Sequence, residues 1–204
     1  MNKRIMISTL ILVIALTMCS CTKEEQKQPN DNVTKQKVEE TTNTTTKLTK
    51  LSVKEIEAFP LLRGNWTGKQ MQDAGLKKTI TNGGQIVYYD GNIRYFLSDL
   101  ETPECVEIFG KCNVQTPRGL YVGESFEDVL GSFPQDKDWQ KDPNGIFYGK
   151  HYETDEHEPT GHVSSYNENQ KMITLTTENI FPFVQIYFDK NDKVEKFRIY
   201  FTSD

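Results

Sequence analysis

The sequence predicts an α+β fold in which two halves, each a small helix followed by an antiparallel meander, form one domain. Two observations lead to this prediction. Capping-box signatures, in which Ser or Thr stands three residues before Glu, Gln or Asp, occur at three points of the chain. Short segments with strand-like composition follow them and are separated by turn-forming residues. We place the domain at residues 51–204 and its halves at 51–115 and 116–204.

The first half is predicted to begin with two short helices. Ser52 with Glu55 opens one of them, and Thr67 with Gln70 opens the other. Strands follow at 85–89 and 93–97, joined by Asp90-Gly91, because both of these residues tolerate the positive φ that a tight hairpin needs. Another strand, or a pair of strands, is predicted within 105–114.

The second half is predicted to begin with a helix opened by Ser125 and Asp128, whose apolar residues face inward. Five strand segments follow, at 146–152, 162–166, 172–177, 183–188 and 194–201. In the last segment Phe197 and Ile199 alternate with Lys196 and Arg198, which predicts one face on a core and one in water.

The N-terminus has the layout of a secretory signal peptide. Lys3 and Arg4 precede an uncharged, mostly apolar segment, residues 5–18. This segment is shorter than the ~20 residues that a membrane-spanning helix needs. Polar sequence follows directly after Cys21, as expected at the end of a signal.

A small residue before a cysteine at this position is typical of a bacterial lipoprotein signal. Cys21 follows Ser20, so we predict a signal peptide over residues 1–20 and a lipid on Cys21. Cys19 is the alternative lipidation site, although bulky Met18 precedes it. An ordinary secretory signal is the remaining alternative. The lipid would hold the protein on the extracytoplasmic face of the cell membrane.

Residues 21–50 are predicted to be a lipidated, disordered linker, because Thr, Lys, Glu, Gln and Asn dominate them. Loss of Lys3 and Arg4 with the signal leaves 22 of the 24 basic residues against 29 acidic ones, a net charge of −7. An acidic protein is not expected to bind nucleic acid, which needs clustered cations. Membrane contact is expected through the lipid alone.

The segment Thr116–Leu130, TPRGLYVGESFEDVL, resembles a T-x-x-G-I-x-[IV]-G-D-S-x-E-D-V stretch in a group of uncharacterised Gram-positive lipoproteins. The closing YFDKNDKVEKFRI resembles their final hairpin. Those proteins are similar in plan to β-lactamase-inhibitor-like and outer-membrane assembly (SmpA/OmlA) lipoprotein modules, in which a helix pair packs on a small antiparallel sheet. The resemblance implies a binding or scaffolding module. It implies structural roles for four residues, Gly119, Gly123, Ser125 and Asp128.

The three histidines lie close together among acidic residues. His151, His157, His162 and Asp155 are candidate ligands of a divalent metal ion, since imidazole and carboxylate bind Zn²⁺. Their spacing matches no established zinc pattern, and a solvated acidic loop accounts for the same residues. No cofactor is therefore expected, and a metal or small ligand in the segment 151–162 is the alternative function.

Cys105 and Cys112 are candidates for a disulfide, which an exported domain permits. One straight strand would hold the two thiols about 23 Å apart, too far to bond. A turn near Phe109-Gly110 would instead bring them together. Two small buried thiols are the alternative.

Adjacent aromatic residues point to a contact surface. Tyr88-Tyr89 and Tyr95-Phe96 must each place one ring on either face of a sheet, because strand side chains alternate. Tyr88, Tyr89 and Tyr95 are therefore candidate contacts for a partner, unless a helix or loop covers the second face.

The sequence contains neither G-x-S-x-G nor H-E-x-x-H, so no enzymatic activity is expected. We expect instead a membrane-anchored lipoprotein that acts as a non-enzymatic protein-binding or scaffolding module with an envelope protein as partner.

Overall fold

The structure is a computed structural model that describes residues 47–58, 65–111, 114, 116–150 and 157–201. All of them lie within one compact unit, Thr45–Asp204. Both candidate lipidation sites, Cys19 and Cys21, and most of the predicted linker lie outside the described residues, so these predictions stay predictions.

In the described part of the chain, nine antiparallel strands form one sheet with the spatial order β1-β2-β3-β4-β9-β8-β7-β6-β5. The strands are β1 Lys77–Ile80, β2 Ile86–Asp90, β3 Ile93–Leu97, β4 Pro103–Phe109, β5 Ile146–Tyr148, β6 Gly161–Asn167, β7 Gln170–Leu175, β8 Phe183–Phe188 and β9 Val194–Tyr200. The chain therefore forms two meanders, β1 to β4 and β5 to β9. Their last strands pair with each other, with Ile108 of β4 opposite Phe197 of β9.

Three short α-helices among the described residues precede or connect the strands: α1 Val53–Glu57, α2 Gly68–Asp73 and α3 Phe126–Gly131. Each begins after a predicted cap, because the side chains of Ser52, Thr67 and Ser125 accept hydrogen bonds from the backbone N–H three residues on. No helix of the described residues is long and apolar enough to cross a membrane.

The predicted α+β class is wrong, and the fold is mainly β. The helices have five or six residues each, whereas all nine strands join in a single sheet. A cap marks where a helix begins but not how long it runs. The meanders do not form separate helix-covered sheets either, since β4 and β9 join them into one.

One face of this sheet carries the hydrophobic core. Two rows of buried side chains cross six strands in register: Tyr88, Tyr95, Val106, Ile199, Val184 and Leu175; and Ile93, Ile108, Phe197, Ile186, Ile173 and Val163. The three helices add Ile56, Met71, Phe126, Val129 and Leu130 to the same cluster. The buried residues of every described helix therefore lie on this one face of the sheet.

The segment that carried the family resemblance connects the two meanders. Gly119 and Gly123 have positive φ angles of 74° and 102°, a backbone region that favours glycine. The preceding residue, Arg118, also has a positive φ. Its guanidinium donates to Oε1 of Glu55 at 2.8 Å and to the carbonyl of Ser132 at 2.9 Å. Arg118 thereby joins α1 to the end of α3.

Candidate functional site

The sheet face opposite the core carries a continuous row of polar and charged side chains. Register places these residues side by side across eight strands: Lys77, Tyr89, Arg94, Glu107, Arg198, Gln185, Thr174 and His162. Aromatic side chains flank the row, namely Phe96, Phe109, Phe183, Tyr187 and Tyr200. We call this row and the flanking rings the open face.

A buried carboxylate lies at the centre of the open face. Glu107 is only 1% exposed. Nη1 of Arg94 donates to its Oε1 at 2.9 Å, and Nε of Arg198 donates to its Oε2 at 2.8 Å. Nζ of Lys196 lies 3.8 Å from the same Oε2. A buried carboxylate requires such partners, because an unpaired charge in the protein interior is costly.

The cations also lie against aromatic rings. The guanidinium carbon of Arg94 is 3.9 Å from the ring centre of Phe109, and Nζ of Lys196 is 4.8 Å from that of Tyr187. The guanidinium carbon of Arg198 is 5.8 Å from the ring centre of Phe96. Cations and rings therefore hold one another in place on a surface that remains partly exposed.

Charge and burial change the ionisation of groups around Arg198. Burial opposes its charged form, but its hydrogen bond to Glu107 and the Glu107 charge raise the pKa of Arg198 above its ordinary value. Burial also raises the pKa of the neighbouring Tyr200 hydroxyl. Both groups therefore keep their protonated forms throughout the physiological pH range.

Cys105 lies beside Arg198 and Tyr200 and lines a small cavity of about 220 Å³. Its thiol is 5% exposed, and burial raises the pKa of this thiol to about 12. Cys112 lies outside the described residues, so the disulfide stays a prediction.

The predicted tyrosine contacts divide between the two faces. Tyr88 and Tyr95 are 2% and 0% exposed in the core, so the prediction that they contact a partner is wrong. Tyr89 lies on the open face and is partly exposed. Phe96, which follows Tyr95 in β3, also lies on the open face, as the alternation of strand side chains requires.

Two of the predicted metal-ligand candidates line one cavity at the β5–β6 end of the sheet. His157 and His162 share its wall with Ser164, Lys150 and other residues, and its volume is about 310 Å³. The buried Ser164 hydroxyl has no hydrogen-bond partner in the structure. His151 and Asp155 lie outside the described residues.

The ring of His157 is held by two backbone carbonyls. Its Nε2 lies 2.8 Å from the oxygen of Thr177 and 2.9 Å from that of Asn179. Both partners are acceptors, so Nε2 carries the proton and donates. Among the described residues, no group of three or more His, Cys, Asp or Glu is arranged to hold a metal ion.

Sequence reasoning missed Glu107 as a site residue. Its signal in the sequence was a charged residue at the centre of an otherwise apolar strand segment, CVEIF. Such a residue is consistent with an ordinary solvated position when strand partners are unknown. Its burial became visible only through the pairing of β4 with β3 and β9.

Comparison of the chain with protein-family models, with curated proteins and with solved structures found no match.

Proposed function

We propose that this protein is a non-enzymatic binding module of the bacterial cell envelope that contacts a partner protein through the open face. The observation that carries the proposal is the open face itself. Rings and cations, most of them partly exposed, lie on the sheet face opposite the one on which every described helix packs.

The composition of the open face suits protein recognition. Aromatic and arginine side chains are enriched in protein interfaces, where they supply most of the binding free energy. On the open face Phe96, Phe109 and Tyr200 are each partly exposed, and guanidinium groups lie over the rings of Phe109 and Phe96, which restricts the motion of these two rings. Little conformational entropy is therefore lost when a partner binds these rings.

We further propose, from the signal-like N-terminus, that a lipid on Cys21 anchors the module to the extracytoplasmic face of the membrane. Metabolic labelling with radioactive palmitate tests this site directly. Label should be lost from Cys21→Ser and retained by Cys19→Ser. Label retained by Cys21→Ser and lost from Cys19→Ser would assign the lipid to the other cysteine.

Photo-cross-linking on intact cells tests the contact surface. A benzoylphenylalanine at position 96 should capture one dominant envelope protein. The matched control places the same group at Tyr121, which is 49% exposed and lies outside the open face. Equal capture from both positions, or capture from position 121 alone, would overturn the proposal.

The cavity at β5–β6 favours a second candidate function, the binding of a small ligand or a divalent ion. This candidate function rests on a cavity lined by His157, His162 and an unpartnered Ser164 hydroxyl. The cavity volume of about 310 Å³ is at the lower end of the range typical for ligand sites. Calorimetric titration with Zn²⁺ tests it. Heat that is present in the native chain and lost when all three histidines are replaced by Ala would support this function, whereas absence of heat would exclude zinc.

A further inference from the structure

We infer that the open face recognises an acidic protein segment that also carries aromatic side chains. This inference rests on the proposed function and names the chemistry of its partner. The central observation is a local excess of positive charge. Four cations lie on or beside the open face, namely Lys77, Arg94, Lys196 and Arg198, against two carboxylates, Glu107 and Glu104.

This surface therefore carries a net charge of +2 on a chain whose formal net charge is −5. The two carboxylates are already engaged, because Glu107 pairs with three cations and Glu104 accepts a hydrogen bond from the Gln85 amide. An incoming acidic segment thus meets uncompensated positive charge rather than repulsion. Charge complementarity of this kind directs association and selects partners.

The number of hydrogen-bond donors on the open face leads to the same conclusion. A guanidinium has five N–H donors and an ammonium has three, whereas one carboxylate offers about four acceptor positions. Glu107 cannot satisfy all the donors of Arg94, Arg198 and Lys196 together. Carboxylates from a partner would accept from donors that Glu107 leaves available.

The rings distinguish an acidic peptide from the other occupants. A second copy of this chain would bring an equally positive open face, so the two faces would repel each other. A phosphate polymer would satisfy the cations but would leave Phe96, Phe109 and Tyr200 without apolar contacts. A peptide with Asp or Glu next to aromatic residues can contact both sets of side chains.

Binding of a random copolymer of glutamate and tyrosine tests the inference. The full-length chain in detergent is titrated against the labelled copolymer and followed by fluorescence anisotropy. The double variant Lys77→Gln/Lys196→Gln should bind about tenfold more weakly, since two cations are lost from the surface. The matched control Lys69→Gln/Lys141→Gln removes the same charge from exposed residues outside the open face and should bind within about twofold of the native chain. An equal loss in both variants would overturn the inference.

Glu107→Gln supplies a test of opposite sign. The substitution raises the net charge of the surface from +2 to +3, so it should strengthen copolymer binding about threefold, measured at a temperature where circular dichroism shows the variant folded. A purely structural role of Glu107 predicts weaker binding or no change instead, which would count against the inference.

Two further outcomes separate the inference from the proposed function. Stronger binding of polyphosphate than of the copolymer would overturn the inference and indicate that the open face binds a phosphate polymer rather than an acidic peptide. Cross-linking of a partner at position 96 that persists in Lys77→Gln/Lys196→Gln would leave the proposed function in place and overturn the acidic specificity. Cross-linking confined to position 121 would overturn the proposed function itself.

Discussion

Glu107 of β4 and Arg198 of β9 are 91 residues apart in the chain, yet Oε2 of one lies 2.8 Å from Nε of the other. Each of these strands is the last one of its meander, and the two strands pair with each other. The ion pair therefore links the two meanders at the point where they form a single sheet. Arg94 reaches the same carboxylate from β3 on the other side. The centre of the open face is therefore also an electrostatic link within the fold.

Removal of the Glu107 carboxylate should destabilise the protein strongly. Glu107→Ala leaves three cations facing one another around a cavity, and breaking a buried ion pair typically costs about 3 kcal/mol or more. Urea unfolding at pH 7 measures the loss. Glu195→Ala, at an exposed position of β9, is the control and should change the free energy of unfolding by no more than about 0.5 kcal/mol. Similar effects of the two substitutions would contradict the role of Glu107.

The ion pair between Arg118 and Glu55 should make stability depend on acid pH. Burial opposes ionisation of Glu55, but the hydrogen bonds and charge of Arg118 outweigh it and hold the pKa of this carboxyl below its ordinary value. A depressed pKa in the folded state stabilises the protein above the unfolded pKa of about 4.3. This contribution is lost as the pH falls through the lower folded value.

We therefore expect Arg118→Met to lower the free energy of unfolding by about 2 kcal/mol at pH 7. The difference from the native chain should shrink between about pH 5 and pH 3, as Glu55 becomes protonated, and should not vanish, because Arg118 also donates to backbone carbonyls. Lys69→Met, which breaks an exposed pair with Asp73, should have almost no effect at any of these pH values. A difference for Arg118→Met that is constant with pH would refute the proposed coupling.

Gly161 should not tolerate a side chain. A Cβ at this position would lie 2.5 Å from Cζ of Phe147 and would also collide with the ring of Tyr148. Gly161→Ala should therefore reduce the free energy of unfolding by about 2 kcal/mol through overpacking. In Gly131→Ala the new methyl group meets nothing within 4 Å, and the residue ends α3, so stability should be equal or slightly higher. Thermal unfolding of both variants provides the comparison, and equal midpoints would contradict the packing at Gly161.

The Cys105 thiol should resist alkylation in the folded protein. Only the thiolate reacts, and burial both raises the pKa of Cys105 to about 12 and blocks access. Iodoacetamide at pH 8, without reductant, should label Cys105 in urea but not in native buffer, as read by mass spectrometry of its peptide. Rapid native labelling would contradict its burial, and failure to label in urea would point to the predicted bond with Cys112.

Local sequence patterns predicted the elements well because their causes are local. Ser52 and Thr67 accept the hydrogen bonds expected of caps, and the hairpin between β2 and β3 turns at Gly91-Asn92, one residue later than predicted. The alternation of β9 correctly predicted Phe197 and Ile199 in the core. Each of these signals lies within about seven residues of the feature it predicts.

The fold class and the centre of the site could not be predicted in this way, since both depend on distant pairing. Strand β1 was missed because its four residues, KKTI, show no apolar face. Nothing near Glu107 in the sequence indicates that Arg198 will lie beside it. The pairing of β4 with β9 unites the meanders into one sheet and also creates the buried carboxylate.

Hydroxyl-radical footprinting tests most directly whether a partner covers the open face. Oxidation of Tyr89, Phe96 and Tyr200 is measured by mass spectrometry on intact cells and on the purified chain, and is normalised to Tyr121, which is 49% exposed outside the open face. If a partner occupies the open face, the normalised oxidation of these rings falls on cells. Normalised oxidation that is the same on cells and in the purified chain would contradict the proposal that a partner binds the open face.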